Sequence, residues 1–448
     1  MNRPAPSTAL QRNSLVSFRQ ALYDQVFARA RDALFETLDA LLLCPGLGSF
    51  VELALVPVFR RRWPSLYAAL AAGALDRACL ERTLLAQIPA RQTLVAALDS
   101  TVWPHPQART LPERQFYPLA GAGSPIVAGH GYSLLAWVAQ PGSSWALPLA
   151  ADRIGPAQTA AAVGAAQVRR LGEACQALPE PPLLVVPADG GYGNRPFLGA
   201  VRGQRGLVVV VRLRRDRVLY RAPGPYGGRG RPRKHGARFA FKDPETWGAP
   251  AETVELVDAR WGQVRLRRWN GLHEQRDAAG QLAVVLVESH RERAEPPPPL
   301  WLAAEGEAAV GVEQLWRWYE HRWPIEPSIR FRKQALGWTT PRFQEPERCE
   351  RWTDLVTLAQ WELYLARELV HDRPRPWEAA QAEKTPARVQ AGLGALFAAI
   401  GSPAQGPQPR GKAPGWPTGR KRARPERHPV LRKRRAGKRR RAPTARTA

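Results

Sequence analysis

Three continuous apolar runs, Thr93 to Leu98, Leu183 to Val186 and Leu207 to Val211, constrain the fold of this chain more than any other feature. A strand with one wet face alternates apolar and polar residues, whereas an unbroken run belongs in a sheet covered on both faces. The first run ends in Asp99, followed by Ser100 and Thr101, and three residues beyond the second stands Asp189. Each therefore predicts a buried strand with a carboxylate delivered at or near its end. Segments at Tyr132 to Ala139 and Ser144 to Leu149, separated by the turn around Pro141 and Gly142, read as further strands of an antiparallel meander. An alanine-rich helix follows from about Pro156 to Leu178, with proline at its start, and a second helix from about Arg195. Three meander strands, a helix, a strand, a helix and a strand make an α/β sandwich of RNase H type.

The rest of the chain is read around that core. Residues 1–90 form an N-terminal helical domain, in which Phe18, Leu22, Val26, Phe27 and Ala30 recur at helical spacing; the basic cluster Arg60, Arg61 and Arg62 lies between helices and either binds DNA or simply borders the core. Residues 91–213 are the first part of the core, and 214–299 a β-rich insertion with strands at Thr253 to Val257, Val264 to Trp269 and Leu282 to Glu288. Residues 300–372 return to the core, with an amphipathic helix from Trp352 to Leu369, and 373–402 hold a C-terminal helix. Within the insertion, Arg229, Gly230, Arg231 and Pro232 resemble the centre of an AT-hook, which lays arginines in a narrow minor groove; the alternative is a flexible basic loop that touches phosphates only.

Charge points to the partner. The chain carries +27 with an isoelectric point near 11.1, far beyond what solubility needs, and a polyanion such as DNA is the simplest complement. Residues 403–448 hold 16 Lys and Arg against the single Glu426, so +15 of that charge sits in a tail expected to be disordered without DNA and +12 in the remainder. The four cysteines, Cys44, Cys79, Cys175 and Cys349, are scattered without a CxxC pair, which argues against a zinc module or disulfide scaffold and for a reducing compartment. With neither a signal peptide nor a run of 18 apolar residues, the expectation is a cytoplasmic, nucleoid-associated protein with no membrane partner.

The chemistry gathers in YEHRWPIEPSIRFRK, Tyr319 to Lys333. On one unbroken helix Tyr319, Arg322, Glu326 and Lys333 would fall within an arc of roughly 60°. Pro324 predicts a break, with Glu326 in the first turn of a new helix. A carboxylate flanked by a phenol and two cations suits a site that handles phosphate. Joined to Asp99 and Asp189, Glu326 completes a three-carboxylate cluster suited to two Mg²⁺ ions, Asp99 bridging both and the other two each serving one. Asp152, Asp216 and Asp258 are rival acids, but no continuous apolar strand leads into them. His130, at the mouth of a predicted strand, is either a site residue or a solvent-exposed turn, the turn being the favoured reading. The glycines of DGGYGN, Asp189 to Asn194, read as a tight turn into a helix, since neither a P-loop ending nor a third dinucleotide-type glycine is present.

Tyr319, Arg322, Glu326 and Lys333 also satisfy Y-x2-R-x3-E-x6-K, and in this the chain resembles a large group of bacterial insertion-sequence DDE transposases. ALDST around Asp99 is similar to that group's first-acid motif, PADGGYG around Asp189 to its second, and GWTTPRF to the continuation in one branch. The resemblance covers most of the chain. It implies Asp99, Asp189 and Glu326 as catalytic metal ligands for Mg²⁺ or Mn²⁺, with Tyr319, Arg322 and Lys333 on DNA phosphates. It further implies cutting at transposon ends and joining of the freed 3′-hydroxyl to target DNA by a homodimer or higher oligomer. Pro324 and Pro327 flanking the acid, and the Gly190–Gly191 pair, depart from the usual pattern. A metal-dependent nuclease of the same fold without strand transfer, or an inactive basic DNA-binding relic, are the competing readings.

Overall fold

The computed structural model describes residues 8–119, 125–228, 230–290, 297–306, 310–372, 374, 376–379, 383–408, 419, 421 and 424–432. Helices α1 (Thr8–Ala21), α2 (Arg31–Leu42), α3 (Pro64–Ala72) and α4 (Arg77–Leu85) lead in, with a small ribbon of β1 (Phe27–Arg29) and β2 (Ala74–Leu75) between them. Their apolar faces do not close on themselves. Leu15, Phe18, Leu38 and Leu41 share one hydrophobic core with Leu355, Leu358 and Leu363 of α9 (Pro346–Ala366), and with Val389 and Leu393 of α10 (Pro386–Ile400). Buried Arg19 ties this layer together, 2.8 Å from Asp39 and paired with Glu362. Arg60 and Arg61 of the basic cluster both pair with Glu36, leaving Arg62 as the exposed member without an ion pair among the described residues.

The central sheet contains twelve strands. β3 (Thr93–Pro104), β5 (Ile126–Val138) and β6 (Ala146–Ile154) form the antiparallel meander, with β4 (Gln115–Pro118) beside the start of β5. After α5 (Ala160–Gln176), β7 (Leu183–Ala188) joins β3 in parallel; after α6 (Arg195–Val201), β8 (Leu207–Leu213) joins β7 in parallel. Beyond β8 the sheet continues through β14 (Leu300–Gly306), β13 (Asp277–His290) and β12 (Gly262–Glu274), which carries β11 (Glu252–Asp258) and meets β9 (Val218–Tyr220); β9 in turn pairs with β10 (Arg238–Ala240). The strands read from residues 253–288 are therefore present, and they extend the same sheet.

The apolar runs are unbroken because both faces are covered. On one face Leu184, Val186, Val209 and Val211 pack with Val168 of α5 and Phe197 of α6. On the other, Val185, Val208 and Val210 pack with Leu315 and Trp316 of α7 (Val312–Glu320). α8 (Ile325–Gln334) lies against β3 and β6. Among the described residues no helix is long and apolar enough to cross a membrane.

Three expectations need correction. Asp99 does not end its strand: β3 runs on to Pro104, with Asp99, Ser100 and Thr101 opposite Leu134, Ser133 and Tyr132, because the ladder to β5 satisfies their backbone groups whatever the side chains. α5 begins after Thr159 rather than Pro156, since the Thr159 hydroxyl accepts from Ala162 N at 3.2 Å and so caps the first turn. The tail is placed in part. His428 N donates to Arg109 O at 2.8 Å and Leu431 N to Arg114 O at 2.7 Å, while the Arg114 guanidinium donates to His428 O at 2.9 Å, so backbone hydrogen bonds hold this stretch on the core without DNA.

Candidate active site

The two aspartates are brought together by strand register. Leu98 of β3 is the parallel partner of Ala188 of β7, so the next residues, Asp99 inside β3 and Asp189 just past the end of β7, stand side by side. Neighbouring strands lie about 4.8 Å apart, close enough for two carboxylates to feel each other. Asp99 shows the effect: burial first, then the charges of Asp189 and Glu326, push its carboxyl up to about 6, against the pull of Arg322 and of Ser100 N, which donates to it at 2.7 Å.

The loop carrying Asp189 is anchored from below. Tyr192 is buried, and its hydroxyl lies 2.8 Å from Ser133 Oγ, which itself donates to Gln167 Oε1 at 2.7 Å. With the serine proton committed to Gln167, Tyr192 donates to Ser133, pinning the loop to β5 and α5. Gly193 permits the turn, because a Cβ there would stand 2.2 Å from the Arg212 carbonyl oxygen. Asn194 then caps α6 by accepting from Phe197 N at 3.2 Å.

The third acid arrives from the break at Pro324. α7 ends at Glu320 and α8 starts at Ile325 with Pro324 as its cap, so Glu326 sits in the first turn of a new helix as its sequence indicates. The single-helix arc does not exist; convergence comes from the bend. Arg322, in the bend, donates to Asp99 at 3.1 Å and to Glu326 at 2.5 Å. Tyr319, 9% exposed, lies against Arg322 and within the field of Arg212 and Asp189, and burial raises its phenol. Lys333 Nζ donates to Thr101 Oγ1 at 2.6 Å; burial lowers its ammonium while the Asp99 charge opposes that. Asp99 is 16% exposed in its side chain and Glu326 49%, so the cluster opens toward solvent on the Glu326 side.

Family membership is decided by residues 21–275, more than half of the chain, which match the family described as DDE superfamily endonuclease. The chain belongs to that family. No curated protein matches it closely enough to count as a relative. The matched stretch of this DDE endonuclease includes Asp99 and Asp189 and stops short of Glu326, which is tied to the site by the Arg322 bridge and by its charge on Asp99. Its substrate class is nucleic acid, and the family generally uses divalent metal ions.

The residues fit such an ion. The donors are three carboxylates, the hard oxygen set that Mg²⁺ and Mn²⁺ prefer, and Asp99, raised chiefly by burial and further by Asp189 and Glu326, is a carboxylate whose ionised form a bound cation would favour. The three do not yet have oxygens within 4.8 Å of one another; among the described residues only His105, His130 and Cys349 bring three donors that close. The rivals are spent elsewhere: Asp152 pairs with Arg77 and Arg170, Asp216 with Arg214, and Asp258 with Arg317.

Two features escape sequence reasoning. A cleft of about 590 Å³ beside Asp189 is rimmed by Arg212, Arg214, Arg215 and Lys242. The run RLRRDR directly after an interior strand was its signal. His130, expected in a turn, is buried within β5 at 1% exposure, with its imidazole held down to about 4 chiefly by burial, because β5 starts at Ile126, earlier than its apolar residues indicate. Of the AT-hook-like stretch, Arg231 lies in an exposed loop and Arg229 falls outside the described residues.

Proposed function

We propose that this DDE endonuclease is a transposase of the Y-x2-R-x3-E-x6-K group, built on an RNase H-like core, which cuts DNA at insertion-sequence ends and joins the freed 3′-hydroxyl to target DNA. One observation carries the reading: all four signature residues converge on Asp99, Arg322 by direct contact, Glu326 and Tyr319 through Arg322, and Lys333 through Thr101. In it, Asp99, Asp189 and Glu326 hold two Mg²⁺ ions, or Mn²⁺. Bound there, the ions supply activation of the attacking hydroxyl and neutralisation of charge on the phosphate and the leaving oxygen. Asp99 must be ionised to serve, so its elevation to about 6 makes loading compete with protons on the acid side of neutrality.

The side chains around the acids set geometry and exclude water. Arg322 bridges Asp99 and Glu326 and, were a cation held by the acids, its guanidinium would be available to donate to a phosphate oxygen. Lys333 and Tyr319 contact phosphates next to the scissile bond, and the Arg212 to Lys242 rim carries the strand past Asp189. Arg229, Arg231 and the tail add contacts that position the DNA. The test uses a labelled duplex carrying the element's own terminal repeat, supercoiled target and Mg²⁺. The expected result is end cleavage followed by joined product. Cleavage with no joining at any metal or protein concentration would identify a nuclease, and firm binding with no metal-dependent cleavage would identify a relic.

A further inference from the structure

We infer that His105, His130 and Cys349 form a second metal site, for Zn²⁺, beyond the C-terminal end of β3 and six residues along the chain from Asp99. A ring nitrogen of each histidine and the Cys349 sulfur lie within 4.8 Å of one another, and all three residues are buried. Three distant segments build the cluster. His105 follows β3 and its backbone N donates to Ala128 O at 2.7 Å; His130 sits two residues further along β5, on the same face. Cys349 comes from the first turns of α9.

The hydrogen bonding leaves the right atoms unused. His130 Nε2 lies 3.0 Å from the Pro112 carbonyl oxygen, so Nε2 carries the proton and Nδ1 keeps its lone pair. Among the described residues that buried Nδ1 has no hydrogen-bond partner, and neither does the buried His105 Nε2. An imidazole that donates one N–H to a carbonyl and turns its bare nitrogen inward is the usual arrangement of a metal-bound histidine. Without a ligand between them, unpaired buried nitrogens forfeit hydration with nothing in return.

The donors decide the metal. Two imidazoles and a thiolate are borderline-soft ligands, suited to Zn²⁺ and poorly to Mg²⁺. Bonds of about 2.0–2.3 Å place tetrahedral ligands ~3.5 Å apart, so closure of the cluster needs movement on the order of 1 Å. His105 also lines a cavity of about 500 Å³ with Gln107, Thr340 and Arg342, through which an ion and a solvent molecule as fourth ligand can enter. The backbone is shaped to allow the packing: a Cβ on Gly129 would stand 2.3 Å from Trp103 O. The ion would clamp α9 to β3 and β5, the strands that hold Asp99 in place.

The test strips full-length protein with chelator and titrates Co²⁺ in the absence of DNA. One equivalent should give tetrahedral d–d bands together with thiolate-to-cobalt charge transfer, all displaced by Zn²⁺. Cys349→Ser should abolish the charge-transfer band, and His130→Asn should weaken binding at least tenfold. Asp99→Asn should leave the titration unchanged, which separates this site from the acids. A folded wild-type protein that shows no charge-transfer band, or a band that survives Cys349→Ser, would overturn the proposal.

Discussion

Strand β3 passes through two clusters of ligand-type residues that differ in almost every respect. At Asp99 the donors are oxygens, one of them half exposed, bridged by an arginine and with the Lys333 ammonium nearby. Six residues on, at His105, the donors are nitrogen and sulfur, buried and closer together, and each ring carries a nitrogen without a hydrogen-bond partner among the described residues. The first arrangement leaves room and charge for a polyanion to approach. The second leaves room for little beyond an ion. A single strand therefore serves a working site and a locking site, and perturbing each should produce a different kind of damage.

The largest effect expected is on chemistry. Asp99→Asn and Asp189→Asn should each lower the single-turnover cleavage rate by about a thousandfold or more, with DNA affinity changed only a few-fold. His130→Ala, by contrast, should destabilise the fold by about 2–4 kcal/mol while cleavage per folded molecule persists, read by thermal melting alongside the same assay. Equal damage to rate and stability in both sets would erase the distinction.

Next in size is the basic tail. Deleting residues 403–448 should weaken binding to any DNA and make the dependence of log affinity on log salt shallower by several units, because each phosphate neutralised adds about 0.9 to that slope. The deletion also removes the backbone hydrogen bonds of His428 and Leu431 to Arg109 and Arg114, so a loss of about 1 kcal/mol in stability should accompany it. An unchanged salt slope would place DNA binding elsewhere.

A smaller effect tests the electrostatics of the acid cluster. Asp99 is held at about 6 in the fold against a usual 3.8, so the folded state keeps its proton longer than the unfolded chain. Its favourable contribution is present in full below about pH 4 and is lost as pH rises through 6. In metal-free buffer, Asp99→Asn should therefore melt higher than wild type above pH 6, by about 1–2 kcal/mol, and level with it near pH 4. An advantage independent of pH would show that Asp99 is not strained by its neighbours. Smallest of all, Tyr192→Phe should cost about 1 kcal/mol and slow cleavage a few-fold, by freeing the loop that carries Asp189.

What the sequence disclosed follows the range of the physics involved. Continuous apolar runs marked the three interior strands because burial on both faces leaves no place for alternation, and Pro324 marked the helix break because a proline's ring obstructs the preceding turn. Both are local effects. The polar end of β3 was missed because Asp99 to Thr101 are held by pairing with β5, whose partners lie more than thirty residues away. The spacing of the signature residues gives a shared face only approximately, because Pro324 breaks the helix; the fold brings them together by bending the chain at 321–324 and packing α8 on β3. His130 and Cys349 left no spacing to read, since 219 residues separate them and only strand pairing and helix docking unite them. The tail was judged by its composition, which is blind to a few backbone hydrogen bonds made at Arg109 and Arg114.

The account depends most on Glu326, the acid outside the matched residues 21–275. The direct measurement is Mg²⁺-dependent cleavage of a cognate end by Glu326→Gln beside wild type, at equal DNA occupancy. The two proteins should bind alike, and the variant should lose cleavage by about a thousandfold, as the aspartate variants do. Cleavage by Glu326→Gln within a few-fold of wild type would contradict the three-acid site.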